Sequence, residues 1–359
     1  MRDYTEKTVF VGIDVHKKTY AVTCICEDAV VKSGTLKATP QGLVDYLRKY
    51  FVNAKIKTAY EAGFSGFVLH RHLLQEGIES IVIHAASVEV SARDRVKTDR
   101  RDSLKIATQL STRRLKGIHV PTVEREAFRE VSRLRETIGD DKRRIGNRIK
   151  ALLHRQGRIA PDDETVVSWK WLQQVWQYDF HASIKFCLEQ LIAEWREKAN
   201  RLKVIDLELA KQAQEDKELE VIYRSVPGIG PIHARMLANE LGNMEQFKSE
   251  KRLFSFTGLT PCEFSSGEHK RQGHISRQGR SILRKTLVEA AWIAVRRDKT
   301  LSDTFDRISV KAGKKRAIVG VARRLIGQMR SCFKSDQLYQ IRKSERICKK
   351  TGEISPITI

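Results

Sequence analysis

The sequence predicts an α/β domain in the first third of the chain and helices alone in the rest. Apolar runs with the two-residue alternation of β-strands occur between residues 8 and 85, separated by helical patterns. Beyond residue 122 the apolar residues recur at the three-, four- and seven-residue spacings of helices. Because 359 residues with 41% hydrophobic content suffice for two or three modest cores, we expect separate domains.

The predicted elements of the first third follow the order of a ribonuclease-H-like fold. Three strands come first, a helix opened by Pro40 follows, and strands and helices then alternate. We place this domain at residues 7–118. The strands are predicted at 8–14, 19–26, 30–36, 57–63 and 78–85, and the helices at 42–51, 67–77 and about 98–115.

Two long helices with seven-residue apolar repeats are predicted for residues 122–218. Many Arg and Lys residues surround the repeats, and Gly157 and Pro161 separate the two stretches. Such repeats are typical of an antiparallel coiled coil or a dimerising arm, and two core helices of a bundle would show the same pattern. The repeats consist of Val131, Ile138, Ile145 and Leu152, and of Leu188, Trp195, Leu202 and Leu209.

A compact helical domain is predicted for residues 221–335, and it begins with SVPGIGPIHARMLANELG. PGIG between two helical stretches is typical of a helix-hairpin-helix, in which the backbone N–H groups of Gly228, Ile229 and Gly230 would face a phosphate. A tight turn between two helices has the same sequence pattern. The tail, 336–359, is polar and basic, and we expect it to be poorly ordered.

The charge of the chain predicts a polyanionic partner. Lys and Arg total 67 against 44 Asp and Glu, a formal net charge of +23, and nucleic acid is the commonest soluble polyanion. No apolar run approaches the length that spans a bilayer, and no signal peptide is evident, so we expect no membrane association. The six cysteines are scattered, which favours a reducing, cytoplasmic setting.

Four acids are candidates for a metal site. Asp14 ends the first predicted strand, Glu61 ends a later one, and Asp99 and Asp102 lie three residues apart on a helix, where they share a face. Strand ends and helix starts gather at one edge of an α/β sheet, and carboxylates gathered there would repel one another without a cation. Oxygen ligands favour Mg²⁺ or Mn²⁺, which polarise phosphates and activate oxygen nucleophiles. Taken singly, each acid is more typical of a turn or a helix cap.

A second candidate site is the basic loop GLTPCEFSSGEHKRQGHISRQGR at 258–280. Ser266 lies within it, and neighbouring cations would stabilise a negatively charged transition state at phosphorus. A solvated loop that contacts nucleic acid, with Ser266 capping a turn, explains the same residues. The candidate nucleic-acid contacts are Gly228, Gly230, Lys270, Arg271, Arg277 and Arg280.

Two blocks of motifs resemble the DEDD transposases of bacterial insertion-sequence family one hundred and ten, which are related to the Piv/MooV DNA invertases. GIDVHK (12–17), YEAG (60–63) and KTDRRDS (97–103) form the first block, and residues 225–242 and 253–291 form the second. On this pattern the four acids match the family's metal ligands. Ser266 matches its serine nucleophile, with Ser265 immediately before it.

The resemblance implies a RuvC-like domain, a coiled-coil linker and a helical transposase domain that together cut and rejoin DNA. It also implies a structured bridge RNA as guide in some members. We expect double-stranded DNA partners (element ends and target), a homodimer or homotetramer, and a bacterial cytoplasmic setting. A Holliday-junction-type endonuclease acting by hydrolysis is the alternative, since it would use the same acids without Ser266. A non-catalytic nucleic-acid binder is disfavoured because all four acids and Ser266 are present.

Overall fold

A computed structural model describes residues 3–89, 98–160, 165–263 and 272–342 of the chain. The chain divides into two compact units, Met1–Pro121 and Thr122–Ile359. The first is a mixed α/β unit and the second is largely helical, as the sequence predicts. In the described parts of the chain, no helix is both long and apolar enough to cross a membrane.

The first unit is built on a five-stranded sheet with the strand order β3-β2-β1-β4-β5. The first three strands are antiparallel neighbours, whereas β4 runs parallel to β1, and β5 parallel to β4. This is the predicted sequence of three strands, a helix and an alternating stretch. The strands are β1 (Thr8–Val15), β2 (Thr19–Cys26), β3 (Ala29–Lys37), β4 (Lys55–Glu61) and β5 (Glu79–Ile83); the helices are α1 (Pro40–Tyr50), α2 (Val68–Gln75) and α3 (Asp99–Ser111), with a 3₁₀ turn at Ala85–Ser87.

Helices cover both faces of this sheet. Alternate residues of β1 are fully buried in a core that includes leucines of α1 and α2. On the opposite face α3 packs across β1, β2 and β4 and buries Ile106 in a smaller cluster with Ala59 and Ile83. Successive residues of a strand point to opposite faces of the sheet. Because helices cover both faces, apolar residues occur on both sides of the strands. This packing also places the start of α3 on the face that carries Asp14.

The second unit contains the two predicted long helices, α4 (Val123–Arg155) and α6 (Ala182–Glu215), with the short helix α5 (Trp169–Trp176) between them. The long helices pack antiparallel, because Ile145 near the end of α4 clusters with Leu188 near the start of α6, whereas the earlier Ile138 clusters with Leu209. The predicted seven-residue repeats thus supply the apolar contacts between the two helices.

The rest of the second unit is a bundle of shorter helices with one strand pair. The prediction of helices alone is wrong here, since β6 and β7 pair antiparallel on either side of the serine loop. Its large core draws on most of these helices. The elements are α7 (Lys217–Ser225), α8 (Pro231–Leu241), α9 (Glu250–Thr257), β6 (Pro261–Glu263), β7 (Gln272–Ile275), α10 (Ser281–Arg297), α11 (Lys299–Ala312) and α12 (Lys314–Ser335).

The beginning of the predicted tail packs against this bundle. Tyr339 is buried, and its hydroxyl group donates a hydrogen bond to Asp298 over 3.0 Å. Its backbone N–H donates to the Ser225 hydroxyl over 2.9 Å. The expectation of poor order is therefore corrected for residues 336–342, and the remainder of the tail lies outside the described residues.

Candidate active site

The end of β1 and the end of β4 form the edge of the sheet that carries the first two predicted acids. Ile13 pairs with Tyr60 in the parallel register of these strands, so Asp14 and Glu61 occupy the next positions at the carboxyl ends of neighbouring strands. This is the edge at which α/β sheets gather functional groups. Glu61 is half-buried here and makes contacts with other residues.

The other two acids reach this edge because α3 lies directly on β1. Gly12 makes that possible: a Cβ atom there would lie 2.1 Å from the Ser103 carbonyl oxygen and 2.4 Å from the Ala107 nitrogen. A 2.8 Å hydrogen bond between the buried hydroxyl groups of Thr23 and Ser103 fastens the helix to β2. Thr98 caps the helix by accepting from the Arg101 N–H, so Asp99 and Asp102 fall in its first turn, where the helix dipole favours carboxylates.

His16 joins two of the acids. Its Nε2 atom lies 3.1 Å from Asp14 Oδ2 and 3.2 Å from Asp99 Oδ1. One potential ligand atom from each of these three residues lies within 4.8 Å of the others, a spacing that suits a metal ion. His16 was not among the residues predicted from the sequence. The available signal was its position two residues after Asp14, because residues two apart on a strand share a face.

The pKa of Asp14 reflects its burial and the carboxylates around it. Burial raises the pKa of this carboxyl group above its ordinary value, and the nearby Asp102 and Asp99 carboxylates raise it further, while His16 opposes the rise. A partly buried carboxylate among other carboxylates is stabilised by a cation. Asp102 is half-buried and also lies 3.3 Å from Lys105 Nζ.

The donor set fits a hard divalent ion. Carboxylate oxygens dominate it, and zinc sites by contrast rest on several nitrogen or sulfur ligands. Of the four predicted acids, the structure brings Asp14 and Asp99 together through His16 and places Asp102 close enough to influence Asp14. Glu61 stands at the adjacent strand end, outside the 4.8 Å group.

The predicted serine belongs to the segment that connects β6 and β7, which pair antiparallel. Ser265, Ser266, Lys270 and Arg271 are outside the described residues, and β6 and β7 pair with each other on either side of them in the sequence. Gly258 and Gly279 close the base of this strand pair with positive φ angles, and a Cβ atom on either would lie about 2 Å from a backbone oxygen across the base, at 2.0 Å from Gln278 and 2.1 Å from Phe256 respectively. We call the described flanks of this segment, residues 258–263 and 272–280, the serine hairpin.

Two of the predicted nucleic-acid contacts have structural partners. The Gly228 Cα is pressed against α10, where a Cβ atom would lie 2.8 Å from Ala290, and the Ile229 N–H donates to the Val226 carbonyl. The expectation that the Ile229 N–H faces a phosphate is therefore wrong, because the turn itself uses that group. Arg280 forms ion pairs with carboxylates, whereas Gly230 borders open space.

Arg277, another of the predicted nucleic-acid contacts, is accessible to solvent. It is exposed on the serine hairpin and has a positive φ of 55°, a backbone conformation that few non-glycine residues adopt. The neighbouring Arg284 instead donates to backbone carbonyls at the hairpin base, including Gly279 over 3.0 Å. Burial lowers the pKa of the Arg284 guanidinium, and the charge of Arg277 lowers it further.

Comparison with known proteins agrees with both blocks of motifs. Residues 222–306 match the model of the transposase IS116/IS110/IS902 family, and residues 11–156 match the model of DEDD transposases of the IS110 type. The chain is 30% identical over 301 residues to the putative transposase y4qE of Sinorhizobium fredii, covering 81% of this chain and 72% of that protein. It is 25% identical to the transposase for insertion sequence element IS1533 of Leptospira borgpetersenii, covering 80% and 85% respectively.

A third relative is the transposase for insertion sequence element IS1111A of Coxiella burnetii, which is 23% identical over 70% of this chain and 71% of its own length. The mixed sheet with its acidic edge and the helical second unit thus belong to a transposase, an enzyme that cuts and rejoins DNA. The chain is a member of the IS110 family of DEDD transposases.

Proposed function

We propose that this transposase cuts DNA at a divalent-metal site formed by Asp14, Glu61, Asp99 and Asp102 on a RuvC-like domain. The observation that carries the proposal is the meeting of Asp14 and Asp99 around one His16 nitrogen, at 3.1 and 3.2 Å. Like-charged groups so close are typical of sites that hold a cation.

Mg²⁺ or Mn²⁺ bound there would polarise the scissile phosphate and favour formation of an oxygen nucleophile. The protein supplies the geometry: Asp14 and Glu61 are fixed by parallel strands, and Asp99 and Asp102 by a helix that rests on Gly12. His16, whose Nε2 atom lies within 3.2 Å of both carboxylates, would help to hold Asp14 and Asp99 in place.

We also propose Ser266 as the nucleophile of strand exchange. Its Oγ would attack the phosphorus of the scissile phosphodiester, forming a serine–phosphate ester as the deoxyribose oxygen leaves with a proton. The energy of the broken ester is thereby kept, and attack by a hydroxyl of the new partner strand would restore the diester and free the serine. Rejoining after simple hydrolysis would need an external energy source, which favours the serine route.

A structured bridge RNA and a dimeric or tetrameric assembly complete the proposal. The net charge of +23 supports a second polyanion beside the DNA. The antiparallel pair α4 and α6 supports a coiled-coil arm, since its basic residues flank an apolar contact with seven-residue repeats. The turn at PGIG, between α7 and α8, supports a helix-hairpin-helix, because Gly230 borders open space in which a phosphate would fit.

Conservative removal of single acids tests the metal site. Asp14→Asn and Asp102→Asn should each abolish cleavage of element-end DNA in Mg²⁺ or Mn²⁺ and leave DNA affinity within about threefold, since they change one charge in a chain of net charge +23. Mg²⁺ should raise the melting temperature of the parent protein and not that of Asp14→Asn.

Asp28→Asn is the matched control, because Asp28 is an exposed acid in the β2–β3 turn whose φ of 61° suits asparagine. It should keep cleavage and the response to Mg²⁺. Normal cleavage by Asp14→Asn would refute the metal site.

A further inference from the structure

The serine hairpin is fastened at its C-terminal end to two helices of the same unit by a single arginine. Arg280 follows Gly279 directly and precedes the first residue of α10, so its backbone belongs to the hairpin base. Its Nη2 atom lies 3.0 Å from Glu136 Oε2 on α4, and its Nε atom lies 3.4 Å from Glu240 Oε1 at the end of α8.

The carboxylate of Glu240 is itself held rigidly. Its side chain is 4% exposed, and it receives Arg133 Nε at 3.2 Å as well as Arg280. Arg129 lies 3.8 Å away and donates to the carbonyl groups of Asn239 and Glu240, which end α8. Because α4 supplies both Arg129 and Arg133, it contacts the same carboxylate that Arg280 meets.

We infer that Arg280 is a positioning residue, which sets the orientation of the serine hairpin relative to α4 through Glu136 and Glu240. A guanidinium that contacts two carboxylates has its charge locally compensated and is a poor partner for a phosphate. Arg277, three residues earlier, is exposed and lies on the hairpin itself. Arg277 and Arg280 therefore have different roles. Arg277 binds the nucleic acid, and Arg280 positions the hairpin.

Through these contacts, a movement of α4 would change the position of the serine hairpin. Displacement of α4 would move Glu136 directly and Glu240 through Arg129 and Arg133, and both changes would reach the hairpin base at Arg280. Arg284 and the close contacts of Gly258 and Gly279 make that base stiff, so a shift at Arg280 is carried into β7. The expected effect on strand cleavage rests on the proposed role of Ser266, but the effect on hairpin order does not.

Four variants of the full chain separate the two purposes: Arg280→Gln, Glu136→Gln, their combination, and Arg277→Gln as the matched arginine control. DNA affinity is measured against salt concentration, amide hydrogen exchange is followed at residues 272–279, and cleavage of element-end DNA is timed in Mg²⁺. Melting temperatures check that each variant folds, and the uncharged Arg280→Met replaces Arg280→Gln if the latter does not.

Arg277→Gln should reduce the slope of log K against log salt by about 0.9, the value for one lost phosphate contact, and Arg280→Gln should leave the slope unchanged. Arg280→Gln and Glu136→Gln should both accelerate exchange at 272–279 and slow cleavage by roughly tenfold or more. The combined variant should be no slower than the slower single variant, because both remove the same contact.

Glu136→Gln is decisive, because removing an acid cannot weaken DNA binding through charge. The inference is overturned if Arg280→Gln lowers the salt slope by about one, or if Glu136→Gln leaves exchange at 272–279 unchanged. A Ser266→Ala protein that cleaves normally would refute the serine proposal, while the exchange and salt results would still decide the role of Arg280.

Discussion

Replacing Gly12 by alanine tests whether the acid site depends on the close seating of α3. The added methyl group would lie 2.1 Å from the Ser103 carbonyl oxygen and 2.4 Å from the Ala107 nitrogen, both of which belong to the α3 backbone. Real Cβ atoms essentially never lie within 3.0 Å of such backbone atoms, so the helix must recede by roughly 1 Å. No side-chain rotation relieves this clash, because the opposing atoms are backbone.

The cost follows from the contacts that α3 makes. Overpacking of this kind costs about 1–3 kcal/mol, and loss of the buried 2.8 Å hydrogen bond between Thr23 and Ser103 adds about 1 kcal/mol. We expect the melting temperature of the first unit to fall by roughly 10 °C. Since Asp99 and Asp102 would shift by about 1 Å relative to Asp14, cleavage should fall about a hundredfold.

Thermal unfolding, hydrogen exchange over residues 99–111 and cleavage in Mg²⁺ measure these effects. Gly34→Ala is the control within the same sheet, because its Cβ atom would meet only the Tyr46 hydroxyl at an ordinary 3.6 Å. That variant should change stability by less than about 0.5 kcal/mol. If Gly12→Ala matched Gly34→Ala in all three measurements, the account of how α3 is positioned would be refuted.

Two further predictions concern pH and RNA. Burial lowers the pKa of His233 on α8, against the opposing charge of Glu289, so the second unit should be fully stable above the unfolded pKa of about 6.5 and lose stability as pH falls through it. His233→Gln should flatten this dependence in melting curves between pH 7.5 and 5.5, and an unchanged dependence would count against it. The protein expressed with its native flanking DNA should copurify with one structured RNA, and its affinity for that RNA should fall steeply as the salt concentration rises. Normal recombination by RNA-free protein would refute the proposal of an RNA guide.

Much of the fold followed from the sequence because its patterns are local. Alternation within TVFVGID and TYAVTCIC predicted a strand pair, and these segments pair from Phe10 with Ile25 to Val15 with Tyr20. The short strands β6 and β7 were missed because their pairing depends on contacts between residues about ten positions apart. Strands of three and four residues also carry too little alternation to be distinguished from a loop.

The candidate site was predicted only in part, since its assembly is tertiary. The sequence identified Asp14 and Asp99 as candidates, but nothing local indicated that Gly12 makes room for α3 or that His16 lies between the two carboxylates. Arg280 was grouped with Arg277 because both are basic residues of one loop. Its carboxylate partner Glu136 lies 144 residues away in sequence, a separation that no local pattern reveals.

The role of Gly228 shows the same limit. Its place in PGIG suggested an approach to phosphate, and the structure shows that its Cα also packs against Ala290 of α10, with a φ of 87°. Glycines serve helix packing and ligand approach equally well, because both require the absence of a Cβ atom. The contact with α10 accounts for the first use, and the approach to phosphate stays a prediction.

The most direct test of the central proposal is the protein–DNA adduct that resists SDS. Element-end DNA is incubated in Mg²⁺ with the parent protein, Ser266→Ala, Ser265→Ala and Asp14→Asn, and the denatured products are resolved for covalent complexes and for cut strands. We predict an adduct with the parent protein and with Ser265→Ala, and none with Ser266→Ala or Asp14→Asn. Cut strands without any adduct, undiminished in Ser266→Ala, would contradict the serine route and identify a hydrolytic endonuclease.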